Sequence, residues 1–585
     1  MRINDPDSGG IGTMSPSATV ISGDGEKTVA LAADASLLES LQSAGIALPA
    51  VCGGRGVCLK CAVQFVSGAP EPCAADRLRF SEGQLDEGFR LACKSCPADG
   101  AEIRIPDESG LAAVNSFELD GSAADSLCAR VAPLARTSQS FASQACGGGP
   151  VPLGLLEQCS ELAESRGGTA YVYEYKGRAA RVSATPRDCY AIGVDIGTTT
   201  IGFVLLALGD GRAVDSLSAV NGQRSFGADV ISRIQRANGG DLPLLAGSAR
   251  RQVREGAAEL CRRNSVEPGD VLRIAIAANT TMLHLLLGLS CAAIGQYPFT
   301  PVGIAPVSFR YSEAFEGPFS CNVDILPCVS AYIGADIVAG ALFSGIHRSE
   351  RPAILLDIGT NGEMALAADG RLVCAATAAG PAFEGGNILW GTGSVPGAIS
   401  SAVCEGGRFK VGTIGGQPPI GICGSGVVDI AYEALKSGLI SANGRFCGGH
   451  SATGIALAKA PDGQDIVFCQ KDVRELQLGK SAIRSGLDSL LNHAGMGYGE
   501  IGALFIAGGF GSRLRLASGV GIGMIPEALA PKVALIGNSS LGGVAKYLLE
   551  SGSEGELDRI IGMSSEFDLP GDGYFNKAFI ENIDF

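Results

Sequence analysis

YAIGVDIGTTTIGFVLLAL, Tyr190–Leu208, and AILLDIGTNGEMALAADGRL, Ala353–Leu372, carry one arrangement twice: an apolar strand ending in Asp, then Ile-Gly-Thr and a turn. In each copy a buried strand delivers a carboxylate, Asp195 or Asp357, to its end. The Gly-Thr turn then offers backbone N–H groups and a hydroxyl before a second strand returns as a hairpin. Oriented N–H dipoles in such turns bind phosphate, and a carboxylate beside them can hold Mg2+, usually through water. A single Asp-Ile-Gly-Thr would be weak, because Asp-Gly pairs are also common hairpin residues. Two copies about 160 residues apart, each after a Val/Ile/Leu-rich strand, argue against two unrelated turns. The phosphate candidates are Gly197, Thr198, Thr199 and Thr200 in the first copy and Gly359, Thr360, Asn361 and Gly362 in the second.

Farther along, ALFIAGGFGS, Ala503–Ser512, ends another apolar strand in a glycine turn, Gly508, Gly509, Phe510 and Gly511, suited to close approach by an adenosine moiety. GNSSLGGVAKYL, Gly537–Leu548, reads as a turn entering a helix of small residues. GICGSG, Gly421–Gly426, is a further glycine turn, either lining a cleft or opening a helix tightly.

In this order the chain resembles the acetate and sugar kinase, Hsp70 and actin superfamily of ATPases. The resemblance makes Asp195–Thr200 the first phosphate motif, Val329–Leu342 the first connecting helix, Asp357–Glu363 the second phosphate motif, Gly508–Gly511 the adenosine motif and Gly537–Ala545 the second connection. It implies two ribonuclease-H-like α/β lobes with ATP in the cleft between them, closing by hinge motion.

The N-terminal part carries different chemistry. VCGGRGVCLKC, Val51–Cys61, places thiols at C-x5-C-x2-C, and FRLACKSC, Phe89–Cys96, adds a fourth after a long gap. Iron needs deprotonated sulfur converging on one point, and Gly53, Gly54 and Gly56 let the backbone wrap closely. The ligand candidates are Cys52, Cys58, Cys61 and Cys93 of a [2Fe–2S] ferredoxin. Cys58-x2-Cys61 alone would equally make half of a zinc knuckle, but the long glycine loop and the solitary fourth Cys fit the ferredoxin better. Cys96 competes with Cys93; the RLAC context, Arg90–Cys93, resembles the ferredoxin fourth-ligand site more closely. Cys73 and Cys96 are then spare structural thiols. The flanks read as a hairpin at Ala18–Ile21 and Thr28–Ala32, a helix at Ser36–Ala44, a strand at Ala62–Val66 and a closing strand at Ala101–Ile105.

At 585 residues the chain exceeds one hydrophobic core and suggests roughly three or four domains. Its expected layout is a loose tail at 1–16, a β-grasp ferredoxin at 17–106, a linker at 107–126, a small α/β middle domain at 127–188 and the ATPase at 189–585. The middle domain holds a helix near Leu153–Ser165 and a strand at Thr169–Tyr175, and no chemistry of its own. A net charge of −15, spread along the chain, speaks against a nucleic-acid binder, which needs a basic face. The most apolar long stretch, Val271–Ser290, is interrupted by Arg273, Asn279 and His284, so no membrane helix is expected. Nineteen cysteines, an odd number, with no export signal at the start, point to a reducing cytoplasm.

The fusion of a [2Fe–2S] domain to such an ATPase resembles one family, the ATP-dependent reductive activators of corrinoid proteins. The resemblance covers nearly the whole chain, including Asn221–Ile234 (NGQRSFGADVISRI), Ala278–Leu289, Leu326–Gly340, Ala379–Ile388 (AGPAFEGGNI) and Lys471–Ile483. It implies one-electron reduction of a methyltransferase system's corrinoid protein from Co(II) to Co(I), an external electron donor, and a homodimer through the ATPase half. Asp195 and Asp357 would position Mg2+ and the attacking water, with Glu384 a further catalytic candidate or simply a helix-start carboxylate. The GADVISRI block serves equally as helix core or partner surface, and His284 reads as a satisfied helix residue. Two other readings stay open: an ATP-gated donor to another low-potential metalloenzyme, and a redox-sensing ATP-binding regulator.

Overall fold

The computed structural model describes residues 16–585, except 23–24, 33–34, 45, 47, 49–55, 57–60, 106–116, 120–123, 135–139, 147–150, 152, 165–167, 228, 449–453, 462 and 511–512. The expected tail up to residue 15, Cys52, Cys58, Gly53, Gly54, Gly511 and most of the linker lie outside the described residues. Two compact units emerge, one of residues 1–109 with 222–228, the other of residues 110–221 with 229–585.

The first unit is a five-stranded sheet in the order Gly25–Ala30, Ser17–Ser22, Glu102–Arg104, Ala62–Ser67, Phe89–Leu91. The first and last strands in sequence that meet here, Ser17–Ser22 and Glu102–Arg104, run parallel, while the flanking pairs are antiparallel. The helix Leu37–Ser43 opens with a capping box between Ser36 and Glu39, and its Leu37 and Leu41 join Val20, Val63, Leu91 and Ile103 in the core. This is the expected β-grasp arrangement. Residues 222–228, expected within the ATPase, group instead with this unit, Gln42 donating to the Ser225 carbonyl.

The second unit holds two six-stranded sheets of matching design. One runs Ala213–Val220, Thr200–Ala207, Tyr190–Ile196, Val271–Ala278, Asn322–Ile325, Val307–Arg310; the other runs Val533–Gly537, Ala503–Ala507, Ala353–Ile358, Gly362–Ala368, Arg371–Thr377, Ser564–Glu566. In each, a central strand ends at the motif aspartate, pairs antiparallel with the strand returning from the Gly-Thr turn, and pairs parallel on its other side. Such strands, buried on both faces, explain the near-continuous Val/Ile/Leu runs.

Two helices, Ala335–Ser344 and Ser539–Leu549, cross where side chains are smallest. A Cβ on Gly543 would stand 1.9 Å from the Ala339 carbonyl, and one on Gly340 2.8 Å from Ser539 Oγ. The first of these was expected to begin at Val329; it begins at Ala335, because Val329 and Ser330 turn back to bond the Ile333 carbonyl. The GICGSG turn resolves as a helix entry, Gly424–Lys436 following Cys423.

Residues 127–183 form a three-stranded sheet, Leu127–Leu134, Gly168–Tyr175 and Arg178–Ser183, covered by helices Phe141–Cys146 and Leu153–Glu164. Described parts of the expected linker are attached to this second unit. Phe117 packs edge-on against Phe343, and Asp125 and Ser126 bond the Leu549 carbonyl.

Candidate functional site

The hairpin geometry brings the two Gly-Thr turns face to face. Thr199 Oγ1 lies 3.1 Å from Thr360 Oγ1, and both hydroxyls donate to Glu384 Oε2, Thr199 at 2.7 Å. Glu384 is the last residue of a short 3-10 helix, Pro381–Glu384, and lies in its single turn. In the first turn, Gly197 N–H donates to the Thr200 carbonyl at 2.8 Å, which tightens the loop. Thr198 is fixed by Asn279 Nδ2 on its hydroxyl at 3.2 Å and by the buried Arg233 on its carbonyl; Asn221 Nδ2 holds the Gly197 carbonyl at 2.8 Å. In the second turn, Gly359 N–H donates to the Asn361 carbonyl at 2.9 Å, and Asn361 Nδ2 donates to Glu363 Oε1 at 3.1 Å.

Asp195 accepts Asn538 Nδ2 at 3.0 Å and Ser540 Oγ at 2.7 Å from the start of the second crossing helix. Burial raises its carboxyl, and those two bonds oppose the rise. Asp357 stands directly across the strand pair from Glu363. Burial, then the charges of Asp336, Asp195 and Glu384, push Asp357 up to about 8. Asp336, in the first turn of the other crossing helix, is pushed up to about 7 by burial and by Asp195, and Glu363 is raised by burial, Asp336 and Asp357. Like charges directly opposite in a sheet are destabilising, so this concentration of acids needs a counter-charge.

Oxygen donors of this kind suit a hard cation such as Mg2+. Among the described residues no three acids, histidines or cysteines are arranged as direct ligands. Asp195, Asp336, Asp357 and Glu363 are the residues that fit it.

Gly508 is confined to glycine: its φ is +95°, and a Cβ would stand 2.4 Å from the Ile358 carbonyl and 2.9 Å from Asp357 Oδ1. Its N–H donates to the Gly537 carbonyl at 2.9 Å, placing the expected adenosine turn against the second aspartate. Gly509 has open space where a side chain would be. Phe510 differs from the expectation that its turn faces a ligand. Its ring is buried, 5.1 Å from that of Phe383, because an aromatic beside an apolar strand gains more from the core than from the cleft.

In the first unit, Cys61 and Cys93 lie buried side by side, with Cys93 N–H donating to Cys61 Sγ at 3.5 Å. Ala92 N–H holds the Cys61 carbonyl, and Asp76 accepts both Leu91 N–H and Cys73 N–H. Cys73 thus precedes a short helix, Ala74–Arg79, while Cys96 is exposed. Two thiols converging with a backbone donor on sulfur are what an iron–sulfur cluster requires from this half of its ligand set.

His284 is satisfied: Nδ1 faces the Thr280 carbonyl at 2.7 Å and Nε2 accepts Val302 N–H at 3.0 Å. In the GADVISRI block, the helix Val230–Arg236 buries Arg233 and Ile234 and exposes Ile231. Asn279, Arg233, Asp336, Glu363, Asn538 and Ser540 were not foreseen as site residues. For Asp336 and Asn538 a signal existed, an acid and an Asn opening small-residue helices.

Fold and site define a [2Fe–2S] ferredoxin joined to an actin/Hsp70-type ATPase. Family models match in the same order: "2Fe-2S iron-sulfur cluster binding domain" over residues 20–98, "RACo middle region" over 190–349, and "C-terminal domain of RACo the ASKHA domain" over 351–585. The chain is 30% identical to the corrinoid activation enzyme RamQ of Eubacterium limosum over 68% of its own length and 71% of that protein's. It is 26% identical to the [Co(II) methylated amine-specific corrinoid protein] reductase of Methanosarcina barkeri over 64% and 72%. A solved reductive activator for a corrinoid, iron–sulfur protein superimposes with a TM-score of 0.74 at 28% identity, covering 97% of this chain and 98% of that one. The chain belongs to the family of ATP-dependent reductive activators of corrinoid proteins.

Proposed function

We propose that the protein reductively activates the corrinoid protein of a methyltransferase system, taking its cobalt from Co(II) to Co(I) with one electron and using ATP. The observation that carries this reading is the convergence of Thr199 and Thr360 on Glu384, in a chain that also builds a ferredoxin fold. Cys52, Cys58, Cys61 and Cys93 are the ligand set assigned to the [2Fe–2S] cluster, which when bound supplies electrons one at a time. Co(I) lies at very low potential, and each ~59 mV of deficit lowers a one-electron equilibrium constant about tenfold. ATP helps only if it distinguishes two states of the protein.

The chain's own residues supply that distinction. Thr198–Thr200 with Gly197, and Thr360–Gly362 with Gly359, bind the phosphates of ATP from opposite lobes, so a bound nucleotide ties the lobes together. Gly508 and Gly509 admit the adenosine. Asp195 and Asp357, with Asp336 and Glu363, orient Mg2+ and the attacking water, and Glu384 holds the two threonine hydroxyls in register. The partners are a corrinoid protein and an external electron donor. The chain works in the cytoplasm, as a homodimer through its ATPase half.

The test is anaerobic. Reduced protein with Mg-ATP is mixed with corrinoid proteins of methyltransferase systems, and the Co(II) spectrum is followed. Conversion to Co(I) by the wild type, and none by an Asp357→Asn variant that keeps its cluster spectrum, supports the reading. Mg-ATP-dependent reduction of a different metalloenzyme, with Co(II) untouched, overturns it.

A further inference from the structure

The helix Ser539–Leu549 touches the nucleotide site with one end and a separate module with the other. At its start, Asn538 and Ser540 hold both carboxylate oxygens of Asp195. Eleven residues later, over about 16 Å at 1.5 Å per residue, it ends on residues more than 350 positions earlier in the chain.

The last carbonyls of a helix have no partner within it. Here Glu550 N–H takes the Lys546 carbonyl and Ser553 Oγ the Tyr547 carbonyl, while the last two are taken by residues from far earlier in the chain. Tyr175 Oη donates to the Leu548 carbonyl at 3.0 Å, and the N–H groups of Asp125 and Ser126 donate to the Leu549 carbonyl at 3.1 and 3.0 Å. Beyond the helix, Asp125 accepts Ser551 N–H at 2.6 Å and Ser551 Oγ at 2.9 Å.

Lys176 is the unusual member. It sits at the first corner of the hairpin Lys176–Gly177 with φ +48°, followed by Gly177 at +73°. Tight hairpin turns with two positive φ values favour Asn, Asp or Gly at that corner, and a long side chain held there is strained. Its side chain is used: Nζ donates to Ser553 Oγ at 3.0 Å, lies 3.5 Å from Glu554 and stands 3.7 Å above the Tyr547 ring. A cation there also faces the negative end of the helix dipole.

The helix between these ends is closely packed. It is buried along its length, and a Cβ on Gly193, in the strand leading to Asp195, would stand 3.1 Å from Val544.

From this geometry we propose that Ser539–Leu549 is a coupling rod: Asn538 and Ser540 position Asp195 at one end, and the grip of Asp125, Ser126, Tyr175 and Lys176 on the other end responds to the nucleotide. The chain that follows the iron–sulfur unit is attached to the second unit at Phe117, against Phe343, and again at Asp125 and Ser126, on the end of the rod. The proposal rests on the nucleotide reading of the cleft.

Amide hydrogen exchange of the full-length protein, with and without a non-hydrolysable ATP analogue and Mg2+, tests it, because the Asp125 and Ser126 amides are themselves part of the grip and the Lys176 amide donates to the Ser126 carbonyl at 2.6 Å. The expected result is a change of fivefold or more in their exchange on nucleotide binding. Coupling is reciprocal, so Tyr175→Phe combined with Lys176→Met shifts analogue affinity by a similar factor, and Lys176→Arg, which keeps the cation, restores most of it. A nucleotide that binds with wild-type affinity to the double variant and leaves those amides unchanged in the wild type overturns the rod. Failure of the analogue to bind at all overturns the cleft reading and the rod with it. Should the double variant misfold, Tyr175→Phe alone removes one oxygen, and the wild-type exchange measurement stands without any variant.

Discussion

Thr199 and Thr360, 161 residues apart, place their hydroxyl oxygens 3.1 Å from each other and donate to one carboxylate oxygen of Glu384. Each threonine belongs to a different lobe, so the site exists only when the lobes are in register. Glu384 is the acceptor that the two turns share.

Replacing Glu384 by Gln removes the charge that accepts both hydroxyls. Hydrogen bonds to charged groups contribute about 1.5–3 kcal/mol, which corresponds to roughly 10–100-fold in rate or affinity. Steady-state ATP hydrolysis by Glu384→Gln is expected to fall in that range while the cluster spectrum is unchanged. Wild-type hydrolysis would remove Glu384 from the site.

The acid cluster makes stability depend on pH in a direction opposite to that of salt-bridged carboxylates. Asp336 is raised to about 7 and Asp357 to about 8, above their unfolded values. A carboxyl whose pKa is higher in the native state favours folding when protonated, and that contribution is lost as pH rises through the folded pKa. Without Mg2+ the melting temperature should therefore decline from about pH 4 to about pH 8 and level off above that, the decline being larger than in Asp357→Asn. Mg2+ with nucleotide, which binds the folded state alone, should flatten the decline. Thermal melts across that range, with and without Mg-ATP, check both statements.

In the first unit the two thiols after the cluster loop separate cleanly. Cys93 is buried beside Cys61, whereas Cys96 is exposed. Cys93→Ser is expected to lose the visible absorbance and electron paramagnetic signal of a [2Fe–2S] cluster, and Cys96→Ser to keep them. The reverse outcome would move the fourth ligand to Cys96.

The fold was legible because its decisive features are local. The paired Asp-Ile-Gly-Thr turns, the apolar strands before them and the cysteine spacing all lie within short windows. What the sequence hid was assembled by topology. Asn538 reaches Asp195 across 343 residues, and Asp336 joins the acids because two helices cross at Gly340 and Gly543. Glu363 lay inside the second motif yet drew no attention, because only the strand register shows it directly opposite Asp357. Phe510 misled for the opposite reason: its glycine neighbours suggest an open turn, but the ring's apolar area places it against Phe383. The anchoring of Asp125 and Ser126 to Leu549 had no signature in a polar, turn-rich stretch.

Electron transfer from the cluster is proposed to depend on ATP. A single-turnover experiment addresses it most directly: protein reduced by one electron, a Co(II) corrinoid protein, and the visible spectra of cluster and cobalt followed together with and without Mg-ATP. With Mg-ATP one Co(I) is expected for each cluster reoxidised; without it, or in Asp357→Asn, both spectra are expected to stay where they began. Equal yields of Co(I) in the presence and absence of Mg-ATP would contradict it.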